Sequence, residues 1–164
     1  MRKKSRLFAG LFVILFLIVD QTTKYFAMHL LGNGKKIVLL ESILELNYTE
    51  NTGAAFGVLE GYNIILTFVV IVFVIFLLIK YYKLSWTGKY QGFRLVMLVL
   101  ISGAIGNLID RLRYGFVIDF IYFVPIDFPK FNYADMCIVL SLFVIGYLFL
   151  FVYSEEDIGY IFNK

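Results

Sequence analysis

Four stretches of the chain are apolar over about twenty residues each, the length a helix needs to cross a bilayer. They fall at about 7–28, 62–82, 93–112 and 133–153. The first follows Arg2, Lys3, Lys4 and Arg6 and is broken by Asp20-Gln-Thr-Thr-Lys24, after which Tyr25-Phe-Ala-Met28 restores it. At about 1.5 Å per residue this run covers about 33 Å. No small-residue cleavage site follows its apolar part, so it reads as an uncleaved spanning helix and not as a secretory signal. The second run is almost free of polar side chains. The third contains Ser102-Gly-Ala-Ile-Gly106, small residues that permit close helix approach. The fourth begins after Asn132, a good N-cap residue, which puts Asp135 in its first turn.

The intervening segments have other periods. In 32–61, Gly32-Asn-Gly34 signals a turn, and 37–40 and 43–48 are short, partly alternating runs that predict strands. Asn51-Thr-Gly-Ala-Ala-Phe-Gly57 closes this segment as a glycine-rich loop. The segment is too short to hold a core of its own, so residues 1–164 form one domain. Segment 113–132 reads as a loop with an apolar run, 117–124, interrupted by Asp119. Trp86 suits a membrane interface, and 154–164 reads as a short tail. Nine of the fifteen lysines and arginines lie in the N-terminus, the 80–94 region and the C-terminus, and six lie on the opposite side. That bias places both termini in the cytoplasm. The expected fold is an all-α membrane protein with four transmembrane helices and a small extracytoplasmic β-rich cradle between helices 1 and 2.

Composition narrows the chemistry. The chain is 61% hydrophobic and 16% charged, which excludes an ordinary soluble domain. One cysteine (Cys137) and one histidine (His29) leave no internal disulfide, zinc cluster or histidine-based catalysis. The net charge of +3 is modest, no nucleic-acid partner is expected, and no Gly-Lys-Ser/Thr phosphate loop is present. Polar groups in such a chain are expensive and mark function. Asp119 and Asp135 are the first candidates, because two carboxylates sharing a proton can act as general base and general acid. The plainer reading makes them a loop carboxylate and a helix-start residue. Asn107, Asp110 and Arg111 share one helix face by i, i+3, i+4 spacing. There, Arg111 could pair with Asp110 or with a carboxylate on another segment, Asp110 and Arg111 suggest a structural polar clamp between helices, and Asn107 could orient an aspartate or a substrate amide. Asp20 and Lys24, at i, i+4, are either an interfacial ion pair with Lys24 snorkelling or a wall of the site. Asn51 to Gly57 could offer amide contacts to an extended peptide.

Five motifs then occur in order: Asp20-Gln-Thr-Thr-Lys24, Asn51-Thr-Gly-Ala-Ala-Phe56, Gly103-Ala-Ile-Gly-Asn-Leu-Ile-Asp-Arg111, Gly115-Phe-Val-Ile-Asp-Phe120 and Phe131-Asn-Tyr-Ala-Asp135. Together they resemble bacterial lipoprotein signal peptidase (signal peptidase II) over essentially the whole chain. Ser102 stands where that family often has a second glycine. The resemblance implies an aspartic endopeptidase of the bacterial plasma membrane, without cofactor or metal. It implies cleavage of diacylglyceryl-modified prolipoproteins immediately before the lipidated cysteine, and inhibition by the cyclic peptide globomycin. It assigns Asp119 and Asp135 as the catalytic pair. Asp20, Lys24, Asn51, Gly53, Asn107, Arg111, Asn132 and Ala134 become residues that bind substrate or position the pair, and Asp110 is structural. The rival classes are a small ion- or proton-coupled transporter, which predicts charge deeper in the helices, and a membrane scaffold using the polar cluster structurally.

Overall fold

The computed structural model describes residues 3–53, 62–85 and 88–163. Its elements are α1 (Lys3–Leu31), β1 (Lys36–Leu40), β2 (Leu44–Asn51), α2 (Asn63–Lys83), α3 (Gln91–Tyr114), β3 (Val117–Phe123), α4 (Tyr133–Phe151) and α5 (Glu155–Asn163). Trp86 and the part of the glycine-rich stretch from residue 54 onward lie outside the described residues. Among the described residues, α1, α2, α3 and α4 are the four helices long and apolar enough to cross a membrane.

The third helix is the axis of the bundle, packing against α1, α2 and α4. Met97, Leu98, Leu100 and Ile101 are buried, while Leu11 on α1, Ile64 and Phe68 on α2, and Phe143 and Leu150 on α4 are exposed. In water that distribution would be costly; it is what a helix facing lipid presents. Gly115 ends α3 in the left-handed region at φ 83°, and its N–H bonds the Arg111 carbonyl. A glycine adopts that C-cap conformation without a Cβ penalty.

The turn at Gly115 starts a strand, not a loop. Val117–Phe123 pairs antiparallel with β2, giving a three-stranded sheet in the order β1-β2-β3. The β-rich region is therefore not confined to the segment between helices 1 and 2. The alternation expected of a half-buried strand is missing, because Val117, Ile118, Asp119 and Phe120 are all buried. A strand covered on both faces reads as a continuous run and is easily taken for a loop. Ile118 and Phe120 join Ala27 and Leu31 of α1 in one apolar cluster, which fixes the sheet to that end of the bundle.

At the opposite end, residues 155–163 form a helix where the sequence suggested a tail. Ser154 and Asp157 cap it reciprocally: the Ser154 N–H donates to Asp157 Oδ2 at 2.9 Å, and the Asp157 N–H donates to Ser154 Oγ at 3.3 Å. This is the Ser-x-x-acid form of a capping box. The Lys89 ammonium, 2.5 Å from Asp157 Oδ2, and the Ser154 N–H hold the Asp157 carboxyl well below the usual carboxylate range. Replacing Ser154 with alanine is expected to cost about 1 kcal/mol through loss of the cap. Thermal denaturation in detergent should show a melting temperature lower by about 2–4 °C; an unchanged melt would mean that α5 contributes nothing to the stability of the bundle.

Candidate active site

The sheet, α3 and α4 converge on a cavity of about 860 Å³. Asn51, Gly53, Asn107, Arg111, Asp119 and Asp135 line it, so six of the residues singled out from the sequence meet in one place. One wall is apolar and comes from α4: Met136, Ile138, Val139 and Leu140.

Each carboxylate is held by a different element. Asp119 lies on β3 opposite Thr49, and Asn51 lies opposite Val117. Asn51 and Asp119 are thus diagonal neighbours across the strand pair, within reach of each other. A register shift between Leu46 and Thr49 sets this pairing. Asp135 is the third residue of α4. Its Oδ2 accepts the Asn132 N–H at 3.0 Å, while Asn132 Oδ1 accepts the Asp135 N–H at 3.0 Å, a reciprocal capping box.

Three carboxamides connect the two acids. Asn51 Nδ2 donates to Asp119 Oδ2 at 2.8 Å, and Asn132 Nδ2 donates to Asp119 Oδ1 at 2.7 Å. Asn107 Nδ2 donates to Asp135 Oδ1 at 2.7 Å. In each amide the oxygen is already engaged by another donor. The Gly53 N–H holds Asn51 Oδ1, the Asp135 N–H holds Asn132 Oδ1, and the Lys24 ammonium holds Asn107 Oδ1. The NH₂ ends are therefore directed at the carboxylates. Asp119 is 2% exposed. Burial and the neighbouring Asp135 carboxylate push it up to about 7, against the opposite pull of the Asn51 and Asn132 donors. A carboxyl that holds its proton near neutral pH beside a second carboxylate can donate to a carbonyl or leaving amine while its partner takes a proton from water.

Behind this layer sits an ionic one. Lys24 Nζ is 2.8 Å from Asp110 Oδ2 and 3.1 Å from Asp20 Oδ2, and all three side chains are buried. Lys24 therefore does not snorkel. Nor does Asp110 clamp Arg111: it takes Lys24, Gln21 Nε2 at 2.9 Å and the Ile118 N–H at 3.2 Å. Arg111 instead donates to the Gly53 carbonyl at 3.1 Å. Helical spacing could show that Asp110 and Arg111 share a face, but not which segment each one meets. Asp20 Oδ1 accepts the Ala134 N–H at 3.1 Å, tying α1 to the first turn of α4. Asp20, Lys24, Asp110, Asn132 and Ala134 lie outside the cavity lining.

Sequence reasoning missed Gln21 and Lys130. Gln21 also reaches Asp20 Oδ2 at 3.1 Å, and its position three residues before Lys24 was the available signal. Lys130, on the cavity rim, donates to Thr49 Oγ1 at 2.6 Å. It lies in an irregular segment, where no periodicity could point to it.

Comparison with known proteins agrees over nearly the full length. Residues 12–151 match the family model for signal peptidase (SPase) II. The lipoprotein signal peptidase of Halothermothrix orenii is 34% identical over 147 residues, covering 90% of this chain and 96% of that protein. That of Enterococcus faecalis is 37% identical over 159 residues, covering 93% and 92%. A bacterial membrane enzyme solved by the in meso method at 2.3 Å resolution superposes with a TM-score of 0.77 at 30% identity, with 87% of each chain covered. Five ordered motifs, four membrane-length helices and these matches lead to one assignment: the chain belongs to the signal peptidase II family, the multi-pass bacterial membrane proteases that process lipoproteins.

Proposed function

We propose that Asp119 and Asp135 are a catalytic aspartate pair that hydrolyses the peptide bond immediately before the diacylglyceryl-modified cysteine of a prolipoprotein. The observation that carries this reading is the set of three carboxamides whose NH₂ groups point at the two carboxylates from three different elements. Such convergence holds two acids in fixed geometry beside an open cavity. Asp135 sits at a helix N-terminus, whose dipole and free N–H groups favour negative charge, and acts as the base toward water. Asp119 keeps the proton and donates it to the substrate carbonyl as water adds. Asp135 then passes the proton it took from water to the leaving amine, while Asp119 recovers its own from the tetrahedral diol as the C–N bond breaks. The pair titrates as a unit.

The substrate is an amphiphile, and the cavity has matching walls. The apolar α4 face takes the signal peptide and the acyl chains; the sheet side takes the polypeptide on the aqueous side. In this reading residues 1–164 act as one peptidase domain, both termini are cytoplasmic, and the sheet lies outside the plasma membrane near the outer leaflet. Globomycin-type cyclic peptides are the inhibitors to test. Arg111 and Gly53, joined by a hydrogen bond and both on the cavity wall, position the substrate backbone.

The test is cleavage of a diacylglyceryl-modified precursor by enzyme in lipid nanodiscs across pH. With Asp119 as the acid, activity is present while it holds its proton and falls as pH rises through about 7. The unlipidated precursor should turn over far more slowly. A rate that stays flat well above neutral pH, or equal turnover of the two precursors, overturns the reading.

A further inference from the structure

We infer that Lys24 is a positioning residue for the reaction: from behind the site, through Asn107, it fixes and polarises the amide that holds Asp135. The inference rests on the two-aspartate reading above. Lys24 is buried and does not line the cavity that holds Asp119 and Asp135. Its ammonium has three hydrogens and three acceptors: Asp20 Oδ2 at 3.1 Å, Asp110 Oδ2 at 2.8 Å and Asn107 Oδ1 at 2.9 Å. Two acceptors are carboxylates, which more than offset its charge. The third is an uncharged carbonyl oxygen, and the other end of that amide donates to Asp135 Oδ1 at 2.7 Å.

A primary amide is a donor at one end and an acceptor at the other. An ammonium can only donate, so it rejects the flipped orientation of Asn107, in which two N–H donors would face each other. Asn132 Nδ2 adds a weaker constraint on the same oxygen at 3.1 Å, but it is shared with Asp119 Oδ1 at 2.7 Å. The cation also polarises the amide. In a low-dielectric site, a hydrogen bond that follows a charge is strengthened. Lys24, Asn107 and Asp135 thus form an ion pair with an amide inserted between its charges.

The charged groups around Lys24 are Asp20 on α1, Asp110 and Arg111 on α3, Asp119 on β3 and Asp135 on α4. Arg113 lies across a small outer pocket of about 120 Å³, which Lys24 also lines. Removing Lys24 alone therefore changes both the charge of the region and the hold on Asn107. A paired substitution separates the two effects. Lys24→Met keeps the length of the side chain without its charge or donors. Adding Asp110→Asn restores the net charge of the region but leaves Asn107 Oδ1 without its ammonium.

The experiment is steady-state cleavage of a diacylglyceryl-modified precursor by wild type, K24M, D110N and K24M/D110N, with melting temperatures to select folded variants. In K24M, kcat should fall about tenfold, equivalent to about 1.4 kcal/mol, with KM within about twofold, since substrate contacts are untouched. The alkaline limb of the pH profile should move upward, because a cation that favours ionised Asp119 is gone. In K24M/D110N the limb should return toward the wild-type position while kcat stays well below that of D110N. If kcat in the double variant instead recovers to the D110N value or above, Lys24 is only a counter-ion to Asp110 and the inference fails. A rise in KM with unchanged kcat would also overturn it. Should K24M alone not fold, the comparison of D110N with K24M/D110N still decides. Failure of the two-aspartate reading is seen separately, as activity retained in the Asp119 and Asp135 variants.

Discussion

Asp119→Asn and Asp135→Asn should each lower cleavage of a diacylglyceryl-modified prolipoprotein by about 10²–10⁴-fold or more, the range general acid–base groups supply. Both variants should remain folded. Asparagine nearly matches aspartate in shape; at Asp135 it removes a half-buried charge, and at Asp119, which already holds its proton, it removes none. The hydrogen bonds are the cost. Asp119 accepts from Asn51 on one oxygen and Asn132 on the other. An asparagine there keeps one acceptor and turns an NH₂ toward another NH₂, for a loss of about 1–3 kcal/mol. Asp135→Asn can keep its oxygen on the Asn132 N–H and so retain the cap, giving up the bond from Asn107. Melting temperatures therefore shift by a few degrees while activity drops by orders of magnitude. Wild-type turnover in either folded variant would refute the pair. An activity loss matched by equal loss of folded protein would make the residue structural.

Much of this site was legible because membrane depth makes polar residues informative. Asp20, Lys24, Asn107 and Asp110 stand out in apolar helices, and the bilayer removes the ordinary explanation for an exposed charge. The cap at Asn132 was legible for a local reason: Asn at the N-cap and an acid three residues later is a short-range code. The partners were less legible. Lys24 lies 83 residues from Asn107, and Asn51 lies 68 from Asp119. Spacing within one helix says nothing about which other segment a face meets, so a polar clamp between helices could be read at Asp110 but not that its ion-pair partner is Lys24 on α1. The strand β3 was hidden by its own burial, because coverage on both faces erased the alternation that marks a strand. The helix α5 carried its capping signal in Ser154-Glu-Glu-Asp157, but a short acidic segment at a chain end also resembles a tail.

The same packing that brings α1, α3 and α4 together sets up the second large effect. Substitution of Gly103 or Gly106 by even a methyl group should destabilise the bundle, by about 1–3 kcal/mol, the usual cost of overpacking. A Cβ on Gly106 would fall 2.5 Å from Asp20 Oδ2, 3.0 Å from its Cγ and 3.3 Å from Ala134 Cβ. Asp20 cannot swing aside freely, since Lys24 and the Ala134 N–H hold it. A Cβ on Gly103 would meet the Ala134 carbonyl oxygen at 2.6 Å and Ile138 Cγ1 at 2.9 Å. That first obstacle is backbone, so α4 itself must move, carrying Asp135 with it. Gly103→Ala should therefore cost activity beyond its loss of stability, because a misplacement of about 1 Å at a reacting group can cost about 10²-fold. Gly10→Ala and Gly146→Ala are the controls. Each has open space at the new Cβ, and alanine favours a helix over glycine by about 1 kcal/mol. Thermal denaturation in detergent, with cleavage assayed on the folded fraction, ranks the four variants. Equal melts for Gly103→Ala and Gly146→Ala would show that α3 and α4 do not approach as closely as described. Reduced activity in Gly103→Ala at an unchanged melting temperature would still place the α3–α4 contact in control of Asp135, because that contact sets where the first turn of α4 lies relative to β3.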